Sequence, residues 1–528
     1  LMTKNTSLTI RPDYWSEFEI TPDDIDFIYN FLLEIETPQT PGELVRALVQ
    51  NRINLEKDRI TNQLKTGGSI YAPKDAHQVG QTLTFPARNW QKGEVIAIRP
   101  AHNPELGEFN VIEVRFAPEG KVKTFASSLE SHILNQPISI DESDPNLNLP
   151  AILSAYGDIL DQSLTEELES NPDLVRIAGR WFPRALLVDV HEGHLNLAEA
   201  VLDMSGGGPM TTTSLLEQVD LPTDVNSKLT EFSFNLALQE DERFDEVGPS
   251  GETLWYLRRL EPDFVQNPPI YLRFNPPPVD TSLIQPILQL LEGQVDDEHE
   301  TTTKASREVD GEITISLIYP HWRSGTLPLS RRVKRFFPSA YESPRVQFSF
   351  VDQNTGEEFS GWVVRSAGYV SGLSHWYQTV GAIPGSLIHI KTSPNPGEVQ
   401  IWAEKRKSRE WVRTLLFGSD GGMVFALLKQ QIGTTFDERM ATYISDPTQL
   451  DQQWEGPGKN RQPLDQIIRS LMVELSKLNP QGHVHAQELY AAVNLIRRCP
   501  PAPILQVLVT QPWASYLGDL YFRLSEDT

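Results

Sequence analysis

The stretch "RVQFSFVDQNTGEEFSGWVV" occupies residues 345–364. In "RVQFSFVD" apolar Val346, Phe348 and Phe350 alternate with polar Gln347 and Ser349, the period-two pattern of a strand with one buried face. "QNTG" is a hairpin turn and "EFSGWVVRS" the return strand. Downstream, "GLSHWYQTVG" predicts a short helical turn and "PGSLIHI" a further strand. A small β-barrel over residues 312–444 is therefore expected.

This module is basic inside an acidic chain. The 528 residues carry a formal net charge of -25. Between His321 and Arg413 there are 13 Lys+Arg against 7 Asp+Glu, a net of +6, which leaves -31 for the remainder. Positive charge gathers in "SRRVKRFF", with Arg331, Arg332, Lys334 and Arg335, and in "AEKRKSREWVR", with Lys405, Arg406, Lys407, Arg409 and Arg413. Clustered cations of this kind neutralise phosphates. The competing reading is a basic face that docks onto the protein's own acidic parts.

A second pattern recurs three times. "ERFDEVGPSGETLWYLRRLEP" (242–262), "NPDLVRIAGRWFPRALL" (171–187) and "ASYLGDLYFRLSED" (514–527) each join an apolar strand to an aromatic one through a glycine-containing turn. The aromatic pairs are Trp255-Tyr256, Trp181-Phe182 and Tyr521-Phe522. They are expected to anchor the hairpins onto helices, because an aromatic pair buries much area in a small domain. Helical patterns precede each hairpin. "DDIDFIYNFLLEI", "TPQTPGELVRALVQN" with Thr40 as N-cap and Pro41 in the first turn, and "INLEKDRITNQL" read as three helices. "LNLAEAVLDM", "TTTSLLEQVDLP" and "TDVNSKLTEFSFNLALQED" precede the middle hairpin, and "LDQIIRSLMVELSKL", "HVHAQELYAAVNLI" and "PPAPILQVLVTQP" the last. Helix, helix, helix, hairpin is the winged-helix arrangement.

The fold class is thus multidomain α+β: repeated winged-helix domains, a small inserted β-barrel and a second, basic β-barrel. Residues 1–76 are the helix-turn-helix part of the first winged helix, 77–130 the small barrel, and 150–190 the remainder of that winged helix with its wing. The second winged helix is 194–274. An acidic linker (292–311), the basic barrel (312–444), another linker (445–462) and the third winged helix (463–528) follow.

Chemistry is sparse. The single Cys499 excludes an intramolecular disulfide and a multi-cysteine zinc site, and fits a cytoplasmic location. The N-terminal residues lack the apolar core of a secretory signal, and no apolar run approaches ~18 residues, so no membrane segment is expected. His191 and His194 in "HEGH" are three apart rather than four, unlike a zinc-protease helix. "SGGGP" (205–209) lacks the lysine of a phosphate loop, and no nucleophile elbow occurs. No catalytic residue, cofactor or metal is expected.

Two resemblances add to this reading. The order basic segment, strand, turn, strand, "SGLSHWY", "IPGSLIHI" resembles the DNA-binding pseudobarrel of plant auxin-response-type transcription factors and of some restriction-endonuclease effector domains. Gly372, Trp376, Tyr377, Ile383 and Gly385 carry the likeness over roughly 90 residues; Ser386 stands where an acidic residue is usual. The resemblance implies two arms entering the DNA major groove. The first would be Arg331, Arg332, Lys334 and Arg335; the second would lie near Arg365, Ser366 and Tyr369, with Arg365 nearer the base edges. Residues 195–260 resemble the HARE-type winged helix, also found in the delta subunit of bacterial RNA polymerase, through Phe244, Gly248 and Trp255.

The expected function is that of a non-catalytic DNA-binding protein of a bacterial cytoplasm, regulatory or defence-related. It would contact duplex DNA through the basic barrel, with Lys405, Arg406, Lys407 and Arg409 adding phosphate contacts, and through the winged helices. The alternative is an acidic protein-interaction scaffold, for example one associated with RNA polymerase.

Overall fold

The computed structural model describes residues 13–66, 69–85, 88, 91–104, 107–116, 120–135, 144–219, 221, 226–275, 277–301, 311–340, 343–418, 422–455 and 462–525. The chain divides into two compact units, Leu1–Leu187 and Val188–Thr528.

In the first unit, helix Pro22–Ile35 is followed by a bridge at Gln39 and the 26-residue helix Pro41–Thr66. Thr40 and Glu43 form a reciprocal cap: the Thr40 N–H donates to Glu43 Oε2 at 2.8 Å and the Glu43 N–H to Thr40 Oγ1 at 3.4 Å. The expected break before "INLEKDRITNQL" is absent, because no glycine or proline interrupts the run. Arg52 lies in the middle of this helix, and its guanidinium holds buried Asp24 of the preceding helix. The third helix is Leu149–Glu169, after the inserted sheet, and the hairpin Leu174–Ile177/Arg180–Pro183 closes the module. Trp181 exchanges both backbone hydrogen bonds with Gln39 and is buried with Phe182.

The inserted sheet has five strands in sequential order, Ser69–Ile70, Thr82–Phe85, Gln91–Asn103, Gly107–Phe116 and Lys121–Ser127. Among the described residues its first and last strands share no ladder. The sheet is curled and not closed; the Tyr71 hydroxyl bridges to the Ala126 carbonyl, and Tyr71, Phe85, Phe116 and Phe125 fill the hollow. Parts of the turns expected here, at 89–90, 105–106 and 117–119, lie outside the described residues.

In the second unit, residues 192–257 run helix Glu192–Met204, strand Met210–Thr211, helices Thr212–Leu216 and Ser227–Glu240, then hairpin Phe244–Glu246/Leu254–Leu257. The last strand lies between the other two. Residues 464–524 repeat that order: helix Leu464–Ser476, strand His483–His485, helices Ala486–Ile496 and Pro501–Thr510, hairpin Ala514–Gly518/Tyr521–Leu524, again with the last strand central. Trp255 is fully buried, its indole N–H donating to Asn235 Oδ1 at 2.9 Å. In the last hairpin Phe522 is buried, while Tyr521 is half-buried against His483 and His485.

The opening stretch is the middle of a seven-stranded sheet curled into a half-barrel. Across the sheet the order is Glu312–Ser316, Leu387–Thr392, Glu398–Trp402, Arg345–Asp352, Glu358–Val364, Tyr369–Ser371, Thr326–Pro328. Only Arg345–Asp352 and Glu398–Trp402 run parallel. The two edge strands are consecutive in sequence, joined through the short helix Tyr319–Ser324, which draws the edges towards each other. Gly361 is required where Phe348 and Phe350 cross it: a Cβ there would sit 2.6 Å from Phe348. Asp352 accepts from the Trp376 indole at 2.9 Å and from the Asn354 N–H at 2.8 Å, tying the turn to helix Ser374–Val380. Residues 409–444 do not belong to this barrel. They include a separate three-stranded sheet of Met423–Gln431, Arg409–Phe417 and Tyr443–Ile444, and the second basic cluster leads into it.

Candidate functional site

The site expected from sequence is the basic surface of residues 321–413. Its first arm is a 3-10 turn, Val333–Phe336, pinned by buried Val333 and Phe336. Pinning these two residues turns Lys334 and Arg335 outward, and both are exposed. Arg332 instead grips Asp296 with two hydrogen bonds, 2.7 Å from Nε and 2.6 Å from Nη2. Asp296 is buried and also accepts from Ser330 Oγ at 2.8 Å. The Arg331 N–H donates to Glu300, and burial holds the Glu300 carboxyl above its ordinary range.

Those acids come from the segment read as an acidic linker. Glu292, Asp296 and Asp297 are buried in it. The side chain of Glu298 is 2% exposed, which means that water cannot solvate its charge. Asp297 and Glu298 instead share Arg498, at 2.6 and 2.9 Å. Tyr490 donates to Asp297 at 2.6 Å, and His321 lies 3.1 Å from Glu298. Burial would raise the Glu298 acid, but Arg498 and His321 outweigh it and hold the group ionised. Composition suggested a linker because the segment is acidic and free of aromatic residues. It is buried because Asp296, Asp297 and Glu298 meet cations and hydroxyls from distant parts of the chain. Residues 302–310 of that segment lie outside the described residues. In the second segment read as a linker, helix Pro447–Glu455 buries Leu450 and Trp454; residues 456–461 lie outside the described residues.

Of the second arm, Tyr369 is covered, while Arg365 and Ser366 are exposed. Tyr369 is fully buried and its hydroxyl donates to the Phe264 carbonyl at 2.7 Å. Trp362 meets Tyr256 edge-on at 5.4 Å, and the Gln347 N–H donates to the Val247 carbonyl at 2.8 Å. Arg365 donates to the carbonyls of Ala340 and Ser343 at 2.8 and 3.1 Å, so it serves as a backbone clamp; neighbouring Ser366 is exposed. Arg345 completes this junction, 2.6 Å from Asp245 and 3.3 Å from Glu261. Burial first, and then the adjacent Asp245, push the Glu261 acid up to about 8.

The second cluster has a different setting. Lys405, Arg406, Lys407 and Arg409 are all exposed. Arg406 lies 3.5 Å from Glu410 and over the Phe436 ring at 5.4 Å. Arg413 is buried, donating to Thr442 Oγ1 at 3.2 Å and the Arg439 carbonyl at 2.6 Å, with Glu488 at 3.6 Å. Trp411 between them is 63% exposed. Sequence reading passed over Trp411, although an aromatic residue interleaved with cations was the available signal.

Five of the thirteen cations therefore face carboxylates from outside residues 321–413: Arg323 with Asp451, Arg331 with Glu300, Arg332 with Asp296, Arg345 with Asp245 and Glu261, and Arg413 with Glu488. This consumes most of the +6 surplus.

The other motifs have structural partners. His191 caps helix Glu192–Met204, accepting from the Gly193 N–H at 3.2 Å, and its ring stacks on His194 at 3.6 Å. His485 caps helix Ala486–Ile496. Ser386, at the position where the pseudobarrel resemblance expects an acid, is buried; its hydroxyl accepts from the Ile383 N–H at 2.8 Å and pairs with Thr434 at 2.7 Å. Among the described residues no helix is long and apolar enough to cross a membrane. No family model, no curated protein and no solved structure matches the chain.

Proposed function

We propose that this chain is a non-catalytic interaction scaffold whose helix–hairpin modules are winged helices that contact proteins. The observation that carries the reading is the charge of their third helices. Leu149–Glu169 bears five acids and no base, Ser227–Glu240 one lysine against two glutamates, and Pro501–Thr510 no charge. A groove-reading helix needs cations for phosphate and donors for base edges. The acidic helix Leu149–Glu169 instead presents Ile159, 66% exposed, an apolar spot on an anionic face suited to a basic protein surface. The delta-like resemblance makes RNA polymerase the first partner to try. The half-barrel serves as the hub onto which neighbouring acidic segments dock, through Arg332 and Arg345.

Two binding assays on the full chain test this. Purified bacterial RNA polymerase is expected to bind, and Ile159→Asp to weaken it. Random duplex DNA is expected to be ignored at physiological salt, with a shallow salt dependence below it. Tight duplex binding, with a salt slope that falls by several units when Arg331, Arg332, Lys334 and Arg335 are all changed to alanine, restores the DNA-arm reading.

A further inference from the structure

The hairpin Arg409–Phe417/Met423–Gln431 has an inner and an outer half. Its register sets Arg409 opposite Gln431, Trp411 opposite Lys429, Arg413 opposite Leu427 and Leu415 opposite Phe425. Directly opposed residues share a face, as do residues two apart along a strand. At the inner end Leu415 and Phe425 are buried in the core. At the outer end the same face emerges. Trp411 is the only tryptophan exposed among the described residues, and Leu427 beside it is 48% exposed. The Lys429 ammonium lies 5.5 Å from the Trp411 ring centroid.

Trp411 walls a cleft of about 460 Å³ that is also lined by Leu427, Phe436, Leu475 and Leu478. Its floor is Arg413, whose charge Glu488 faces at 3.6 Å. The charges left for a ligand are therefore on the rim. The segment leading into the hairpin runs alongside residues 431–434, with the Arg406 N–H on the Gly433 carbonyl at 2.8 Å and Lys405 bridged to Thr434. This adds Lys405, Arg406 and Lys407 to Arg409 and Lys429. The acids nearby are Glu404, Glu438 and Glu410, the last held by Arg406 and by Ser408 Oγ. Five cations against three acids make a local positive surplus on a chain of net charge -25.

We propose that this rim binds single-stranded nucleic acid, with a base stacked on Trp411 and flanking phosphates on Lys405, Lys407, Arg409 and Lys429. An exposed indole among cations matches a ligand that offers flat π faces and anions together. An acidic peptide offers mainly the anions. A duplex keeps its base faces inside the stack, where Trp411 cannot reach them. The proposal is separate from the scaffold reading: it rests on the open end of one hairpin and the cleft beside it, and on none of the third helices that carry that reading.

The test measures binding of full-length protein to fluorescent oligo-dT and oligo-U, with random duplex, heparin and a poly-glutamate peptide as controls. Either single strand is expected to bind at low salt, and the tighter one tells DNA from RNA. Trp411→Ala should weaken binding about 5- to 150-fold, the range for one stacked base, and leave the salt slope unchanged. Trp411→Phe, which keeps a ring, should lose far less. Changing Lys405, Lys407 and Arg409 together to alanine should flatten the slope by about two units. Trp411 is exposed, so these variants should fold, and unchanged thermal midpoints check it. No binding at low salt, binding indifferent to Trp411→Ala, or equal affinity for heparin or duplex overturns the proposal. So does a Trp411-dependent preference for the acidic peptide.

Discussion

Residues 331–335 and 405–409 each hold four cations in five positions, yet only the first has cations, Arg331 and Arg332, that face carboxylates from a distant segment. In the first, Val333 and Phe336 fasten a turn to the barrel, and the neighbouring backbone lies against the buried acids of residues 296–300. In the second, the cations sit where a hairpin leaves the core, and all four are exposed. Charge density along a sequence locates cations; it does not tell which are already neutralised. That depends on which carboxylates the fold returns to them.

The largest expected effect tests the buried half of this comparison. Arg498 is fully buried between Asp297 and Glu298. Arg498→Ala strands two carboxylates away from water, and a loss of about 3–5 kcal/mol is expected by chemical denaturation. A loss near zero would show that the acidic segment leaves its place at little cost. A smaller effect, about 1–3 kcal/mol, is expected for Arg332→Ala, which removes charge-assisted hydrogen bonds to buried Asp296.

The Arg345 junction should respond to pH. The folded chain keeps Glu261 protonated up to about 8, whereas an unfolded glutamate ionises near its ordinary value of 4.5. The folded-state value is the higher one, so this stabilisation is complete below 4.5 and is lost as pH rises to about 8. Glu261→Gln, neutral throughout, should flatten the denaturation midpoint across that window. His485 has the opposite sign. Burial, and then Arg439, lower it to about 4, so its neutral cap is lost as pH falls from 6.5 towards 4. A midpoint that climbs from pH 5 to 8 in wild type but not in Glu261→Gln would contradict the Glu261 assignment. The smallest effect belongs to the exposed cluster: Lys405→Ala with Lys407→Ala should change stability by no more than about 0.5 kcal/mol.

Local pattern made much of this fold legible. The alternation of Val346, Phe348 and Phe350 marks a strand that the structure places in the centre of the half-barrel. Thr40 and Glu43 begin a helix where their capping chemistry indicates. The aromatic pairs are largely core because hairpins this short have little else to bury. Partnership over long separation was not legible. Nothing near Asp297 in sequence points to Arg498, 201 residues away, and nothing near Tyr369 points to Phe264. The same blindness made residues 292–301 look like a linker.

The central claim is that Arg331 and Arg332 of the first basic cluster are held by the protein's own acids. A double-mutant cycle on Arg332→Ala and Asp296→Ala, read as unfolding free energy of the full chain, measures that coupling directly. The account predicts a coupling of at least about 1 kcal/mol, with each single change destabilising and the double change costing less than their sum. Additive changes, with coupling near zero, would contradict it and return Arg332 to the pool of cations available to a ligand.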